Sequence, residues 1–208
     1  MNPTLPAAIP DALYLLDYFG LGVFAISGAL LAAEKRQTLV TFLFFATVTG
    51  VGGGTLRDLL IGAPVFWVHR NGPLLICLTA GLAVWLTARR RWDERALLWF
   101  DALGLAAYAV YGSSKALAFG IAPVPAMAMG VLTASFGGIV RDVLAGEPSI
   151  LMRPEIYVTA AAFSAGLFVG LTLLGTSALI AAIVAATAGF ALRALAIARG
   201  LKLPAYVP

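Results

Sequence analysis

The sequence is poor in charge and carries one cysteine and one histidine in 208 residues. Asp, Glu, Lys and Arg make up 12% of it and apolar residues 61%, where a soluble domain has roughly 25% and 45–50%. Cys77 alone excludes an internal disulfide, and Cys77 with His69 is too small a set for a Cys/His metal site. Cys77 sits in an apolar run and reads as a small packing residue. A nucleophile elbow, zinc-protease helix, P-loop and dinucleotide fingerprint are also missing. No enzyme is expected, and no metal or cofactor. Met1–Pro10 lacks the basic region and cleavage site of a signal peptide, so the first apolar stretch is expected to stay as a membrane helix.

What is present is apolar sequence, broken by charge and proline. Crossing a bilayer takes about 20 apolar residues. Seven segments meet that pattern, at 11–33, 38–60, 72–88, 97–119, 122–145, 155–174 and 177–198, the third being short. The expected fold class is all-α: one polytopic transmembrane domain over 1–208. The net charge of +4 could suggest nucleic-acid binding, but its placement points to membrane orientation. Lys35, Arg36, Arg89, Arg90, Arg91, Arg95, Arg141, Arg153, Arg193, Arg199 and Lys202 fall on one face. Arg57 and Arg70 fall on the other, and Lys115 lies within a span. The positive-inside rule then puts the C-terminus in the cytoplasm and the N-terminus outside, in contact with lipid and not with nucleic acid.

The chain also matches itself. At an offset of 84 residues, Asp17 falls on Asp101, Gly20 on Gly104, Gly28 on Gly112 and Thr49 on Thr133. GGTLRDLLIGAP, from Gly53 to Pro64, falls on GGIVRDVLAGEP, from Gly137 to Pro148. Low-complexity Ala/Leu sequence repeats by accident, but Arg-Asp at the same offset as five other identities does not. The copies are read as 11–88 and 97–174, with 177–198 as an unpaired seventh helix serving as a brace or oligomer contact. Three spans is an odd number, so the second copy enters the membrane from the opposite side. Inverted repeats of this kind build transport pathways near the midplane.

Within spans 2 and 5 the glycines Gly52, Gly53, Gly54, Gly137 and Gly138 lie deep in the membrane. Glycine costs about 1 kcal/mol against alanine in a helix interior, so the cluster predicts a break or kink lining a cavity. Close packing of small residues is the alternative. Arg57 and Arg141 follow about one turn later, near opposite mouths of one pathway. A charge in a bilayer costs at least about 2.5–3.5 kcal/mol and marks a functional site by default, although an arginine can also snorkel to its interface. Asp58 and Asp142 come next in sequence, but helix neighbours point about 100° apart, so their partners are expected elsewhere. Lys115 has Leu31 as its counterpart and is open to a gate, a lipid contact, a carboxylate counter-ion or snorkelling. Asp17 and Asp101 serve either a helix N-terminus or a cation-attracting mouth.

At the Gly-Gly-x-x-Arg-Asp repeats the sequence resembles the prokaryotic trimeric intracellular cation (TRIC) channels, once listed under a glycine transporter domain. Gly50–Val68 and Ala134–Pro148 carry the likeness, which covers nearly the whole chain. It implies two inverted three-helix bundles plus a seventh helix, in a homotrimer in the inner membrane of a prokaryote. Each protomer would have its own pore for monovalent cations, potassium above sodium, centred on kinked helices 2 and 5. The Lys-Glu-Val motif of the animal members is missing.

Two readings follow. In a channel, the broken helices and the hydroxyls of Thr49, Thr55, Thr133 and Ser135 line an hourglass pore. Arg57 and Arg141 then gate it, with Asp58, Asp142 or backbone carbonyls neutralising them and K+ or Na+ as the transported ion. In an alternating-access carrier, a small solute such as an amino acid sits at a half-helix terminus. Conductance separates the two.

Overall fold

A computed structural model describes residues 11–87, 92, 93 and 95–204. Arg89, Arg90 and Arg91, the N-terminal segment 1–10 and the end of the third span at 88 lie outside the described residues. Seven α-helices follow in order among the described residues: α1 (Asp11–Glu34), α2 (Leu39–Leu60), α3 (Asn71–Thr87), α4 (Ala96–Ala118), α5 (Pro123–Leu144), α6 (Val158–Leu173) and α7 (Ala178–Arg199). Five of them are long and apolar enough to cross a membrane, and α3 and α6 are shorter apolar helices. No strand occurs among the described residues, only an isolated bridge between Glu155 and Lys202. The sixth span begins later than the expected 155, because Ser149 starts a 3-10 turn at Ile150–Met152 before Val158 opens the helix.

The repeated motif shows how its helices end. Gly62 and Gly146 have φ of 68° and 69°, a left-handed conformation suited to glycine. In each copy the residue after the glycine donates its N–H to the aspartate carbonyl: Ala63 to Asp58 at 2.8 Å and Glu147 to Asp142 at 2.9 Å. The glycine donates three residues back, Gly62 to Leu59 and Gly146 to Val143. This is a Schellman stop, and Pro64 and Pro148 lie just beyond it. The glycine and proline of the motif therefore end a helix at the same position of the repeat in both copies.

Helices α1, α2, α4 and α5 form the centre, with α3 against α1 and α2, and α6 against α4 and α5. The seventh helix packs on α6 and α4. Central contacts come in reciprocal pairs. Gly20 of α1 lies under Tyr108 of α4, and Gly104 of α4 lies under Phe24 of α1; a Cβ on either glycine would fall 2.6 or 2.7 Å from that ring. Phe24 and Tyr108 are themselves equivalent positions, with ring centroids 5.3 Å apart. They stand on the pseudo-two-fold axis of the inverted repeat.

The second reciprocal pair corrects an expectation. Both α2 and α5 run as uninterrupted helix through their glycines. A Cβ on Gly53 would collide with the Thr133 carbonyl oxygen, and one on Gly137 with that of Thr49, each well under 3.0 Å. The glycines bring two helix backbones into contact and do not break either helix. The propensity penalty is small beside what close packing returns in a bilayer.

Candidate functional site

Arg141 and Asp142 line one cavity, Arg57 and Asp58 are buried against Tyr111, Lys115 and Phe66 of another, and the two cavities open on opposite faces of the bundle. Arg57 and Asp58 are fully buried near the end of α2. Arg57 Nε donates to Asp58 Oδ1 at 2.8 Å. Its Nη2 is also 2.8 Å from that oxygen but poorly aligned, and Nη1 has no hydrogen-bond partner among the described residues. The guanidinium lies 5.2 Å from the centre of the Tyr111 ring. Lys115 Nζ reaches the same Oδ1 from α4 at 2.8 Å, while Asp58 Oδ2 accepts the N–H of Phe66 at 3.1 Å.

The second copy repeats part of this. Arg141 Nε donates to Asp142 Oδ1 at 2.9 Å, and Asp142 Oδ2 accepts the N–H of Ile150 at 3.0 Å. Here, however, Arg141 Nη1 also bonds Asp101 Oδ1 at 2.7 Å and Ser27 Oγ at 3.0 Å. Gly138 leaves room for this group, since a Cβ there would stand 3.1 Å from the Tyr157 hydroxyl and 3.5 Å from Arg141 Nη2. Two positive and two negative side chains, Arg57, Lys115, Asp17 and Asp58, therefore stand at one end, and Arg141 with Asp101 and Asp142 leaves one net negative charge at the other.

Several expectations are revised by this geometry. Each arginine does pair with the aspartate that follows it, because its long side chain folds back across the 100° between neighbours. Facing-helix partners are also present, Lys115 for Asp58 and Asp101 for Arg141. Lys115 is thus a buried carboxylate counter-ion. Asp17 and Asp101 lie beyond the first turn of α1 and α4, where the helix-terminus field has faded, so the N-terminal role does not apply. Thr133 and Ser135 donate to carbonyls of their own helix, Thr55 donates to Val51 while accepting from Trp67, and Thr49 has no partner among the described residues. None of these hydroxyls lines either cavity.

The cavity beside Asp58 has a volume of about 370 Å³, and that beside Asp142 about 250 Å³. They are related by the repeat. Tyr14, Ala63, Phe66, His69 and Lys115 of the first correspond at the same offset to Leu98, Glu147, Ile150, Arg153 and Leu31 of the second. The contacts of Gly53 with Thr133 and of Gly137 with Thr49 join α2 to α5 one turn before each arginine.

A buried cation that sequence reasoning missed lies on α7. Arg193, assigned above to the charged face, is 2% exposed, and so its charge does not belong to a loop. It bonds Glu155 at 2.6 Å and the Ile156 carbonyl at 3.3 Å, with its guanidinium 5.3 Å from the Tyr157 ring centre. Its place inside the apolar run, several residues before that run ends, was the available signal. Near the same face, Lys35 at the end of α1 pairs with Glu147 after α5. That contact holds the Glu147 carboxyl below the usual carboxylate range, through the hydrogen bond and then the charge of Lys35.

Comparison with known proteins gives consistent results. A profile of the family described as "Glycine transporter" matches twice, over residues 14–89 and 98–173. A UPF0126 membrane protein of Vibrio cholerae is 42% identical over 154 residues, 71% of this chain and 63% of the relative. The chain thus spans less than two thirds of that relative's length. The UPF0126 inner membrane protein YadS of Escherichia coli K12 is 42% identical over 150 residues, 71% of this chain and 72% of the relative. Among solved structures, the TRIC trimeric intracellular cation channel orthologue from Rhodobacter sphaeroides superposes with a TM-score of 0.88 at 44% identity, over 91% of this chain and 99% of that one. A structure described under conductance through TRIC cation channels gives 0.82 at 30% identity, over 96% and 98%.

Proposed function

This chain belongs to the TRIC channel family, a family of multi-pass membrane proteins and not of enzymes, and from that membership we propose that it conducts monovalent cations through each protomer of a homotrimer. The observation that carries the reading is the pair of repeat-related cavities, one lined by Arg141 and Asp142 and the other by the Tyr111 and Lys115 that contact Arg57 and Asp58, with α2 and α5 in contact one turn before each arginine. In this reading the path runs among α1, α2, α4 and α5, and passage requires α2 and α5 to part. Arg57 and Arg141 gate the two ends by exchanging partners among Asp58, Lys115, Asp101 and Asp142. The excess negative charge around Arg141 favours cations over anions, because desolvated fixed charge sets selectivity in a narrow path.

Potassium passes above sodium in this proposal. The protein sits in the cytoplasmic membrane of a prokaryote, with its N-terminus outside and its C-terminus inside. The basic residues at Lys35, Arg36, Arg95 and Arg153 support that orientation without Arg141 and Arg193. Reversal potentials of the reconstituted protein in asymmetric potassium and sodium solutions test the selectivity, and chloride-dominated potentials would overturn it. Open probability unchanged in both Arg57→Ala and Arg141→Ala would remove the arginines from the gate. The closed crossing between two cavities also fits an alternating-access carrier for a small solute. Saturable, solute-coupled uptake with no unitary current would select that reading.

A further inference from the structure

The two cavities descend from one duplicated sequence, so each is a control for the other. The cavity beside Asp58 is walled by aromatic rings, and the cavity beside Asp142 has none among its described lining residues. Tyr14, Tyr18, Tyr111 and Phe66 correspond to Leu98, Ala102, Ser27 and Ile150. Tyr14, Asp17 and Tyr18 fall at i, i+3 and i+4 on α1, a spacing that puts them on one helix face. The Tyr14 and Tyr111 rings meet at 57° with centroids 6.4 Å apart, forming a corner. Rings here already support cations of the protein itself, Arg57 over Tyr111 and Lys115 over Phe66 at 6.0 Å.

The charges lining this cavity divide unequally. Lys115 is taken by Asp58. Asp17, only 8% exposed, makes no ion pair among the described residues and has the Tyr111 hydroxyl as its hydrogen-bond neighbour, and Arg70, at the open rim, makes no hydrogen bond or ion pair among them. In the other copy the equivalent acid, Asp101, is consumed by Arg141. An acid inside and a base at the rim are thus left facing one aromatic space. Their complement carries a cation at one end and an anion at the other.

We propose that this cavity binds a small zwitterion with a methylated ammonium head, a betaine-class solute, the head lying among the tyrosines against Asp17 and the carboxylate facing Arg70. A volume of about 370 Å³ suits a small-molecule site, which typically has roughly 300–1,000 Å³. Aromatic faces attract quaternary ammonium groups. A primary ammonium needs several acceptors, and Asp17 is the one carboxylate among the described lining residues. The same head chemistry occurs on phosphocholine lipids.

The test is calorimetric binding to the full-length protein in phosphatidylglycerol nanodiscs, with glycine betaine as the probe. Saturable binding is expected, weakened about tenfold or more by Asp17→Asn and by Arg70→Gln, as the loss of one charge-assisted contact does. The triple variant Tyr14→Leu, Tyr18→Ala, Phe66→Ile carries the residues of the other copy and should abolish binding while its thermal unfolding shows an intact fold. Arg153→Gln, in the opposite cavity, should leave binding unchanged. Binding seen only for a short-chain phosphocholine lipid, with the same dependence on Asp17 and Arg70, would support the site and assign it to a headgroup. Tetramethylammonium binding as tightly as betaine and indifferent to Arg70→Gln would overturn the proposal, as would tighter binding of glycine or no binding at all. Because the readout is binding and not current, its failure leaves the channel reading standing, and the reverse also holds.

Discussion

Arg141 reaches across to Asp101 on α4 at 2.7 Å, and the equivalent pair in the first copy, Arg57 and Asp17, makes no such bond. Identical residues at identical spacing have been put to different uses. Removing one partner of a buried ion pair costs about 3–5 kcal/mol, because the other charge stays desolvated. Asp101→Asn should therefore lower the thermal unfolding temperature in detergent clearly more than Asp17→Asn. Equal shifts would show that the asymmetry has no energetic weight.

The glycines can be ranked by what a methyl group would meet. Gly53→Ala and Gly137→Ala put a Cβ against a carbonyl oxygen of the opposing helix and should each destabilise strongly or force α2 and α5 apart. Gly52→Ala meets only a Cα at 3.5 Å and should be mild. Gly170→Ala, with nothing within 4 Å, should stabilise α6 by up to about 1 kcal/mol through helix propensity. Unfolding temperatures of the four variants give the order directly.

Lys115→Leu places in the first copy the residue that the second copy has at Leu31. The charges around Arg57 then sum to one net negative, as around Arg141. Larger cation current is expected at low ionic strength, with the gain fading at high salt as screening shortens to a few ångströms. A gain that persisted at high salt would point to altered gating instead of a field effect.

Lys35 and Glu147 tie the α1–α2 connection to the segment after α5. Since the folded Glu147 carboxyl lies below its ordinary range, the tie contributes fully above the unfolded pKa of about 4.3 and is lost as pH falls through the lower folded value. Hydrogen exchange at Glu147–Met152 should accelerate below about pH 4 in the wild type, and Glu147→Gln should flatten that dependence. Both side chains are well exposed, so the effect is local.

The duplication was legible because Arg-Asp with flanking Gly and Pro is too rare a combination to recur by chance. Span number was legible because apolar length is all that a membrane helix needs. Helix continuity at Gly50–Gly54 was not, since propensity describes an isolated helix and the opposing backbone of α5 decided the outcome. Arg193 was hidden because Glu155 lies 38 positions away and no local pattern links them. The different fates of Asp17 and Asp101 were hidden more deeply. A repeat predicts sameness, and the residues that differ beside the two arginines, Lys115 on Asp58 and Ser27 on Arg141, each come from the other half of the chain.

The reciprocal contacts on the axis join residues far apart in the chain, Gly20 with Tyr108 and Gly53 with Thr133. A ribosome feeding this chain into the membrane therefore releases α1–α3 well before their partners exist. Until α4 and α5 insert, the glycine faces of α1 and α2 meet only lipid, and Asp58 has Arg57 but no Lys115. The early half is a nascent intermediate held in waiting, with a surface shaped for its own inverted copy.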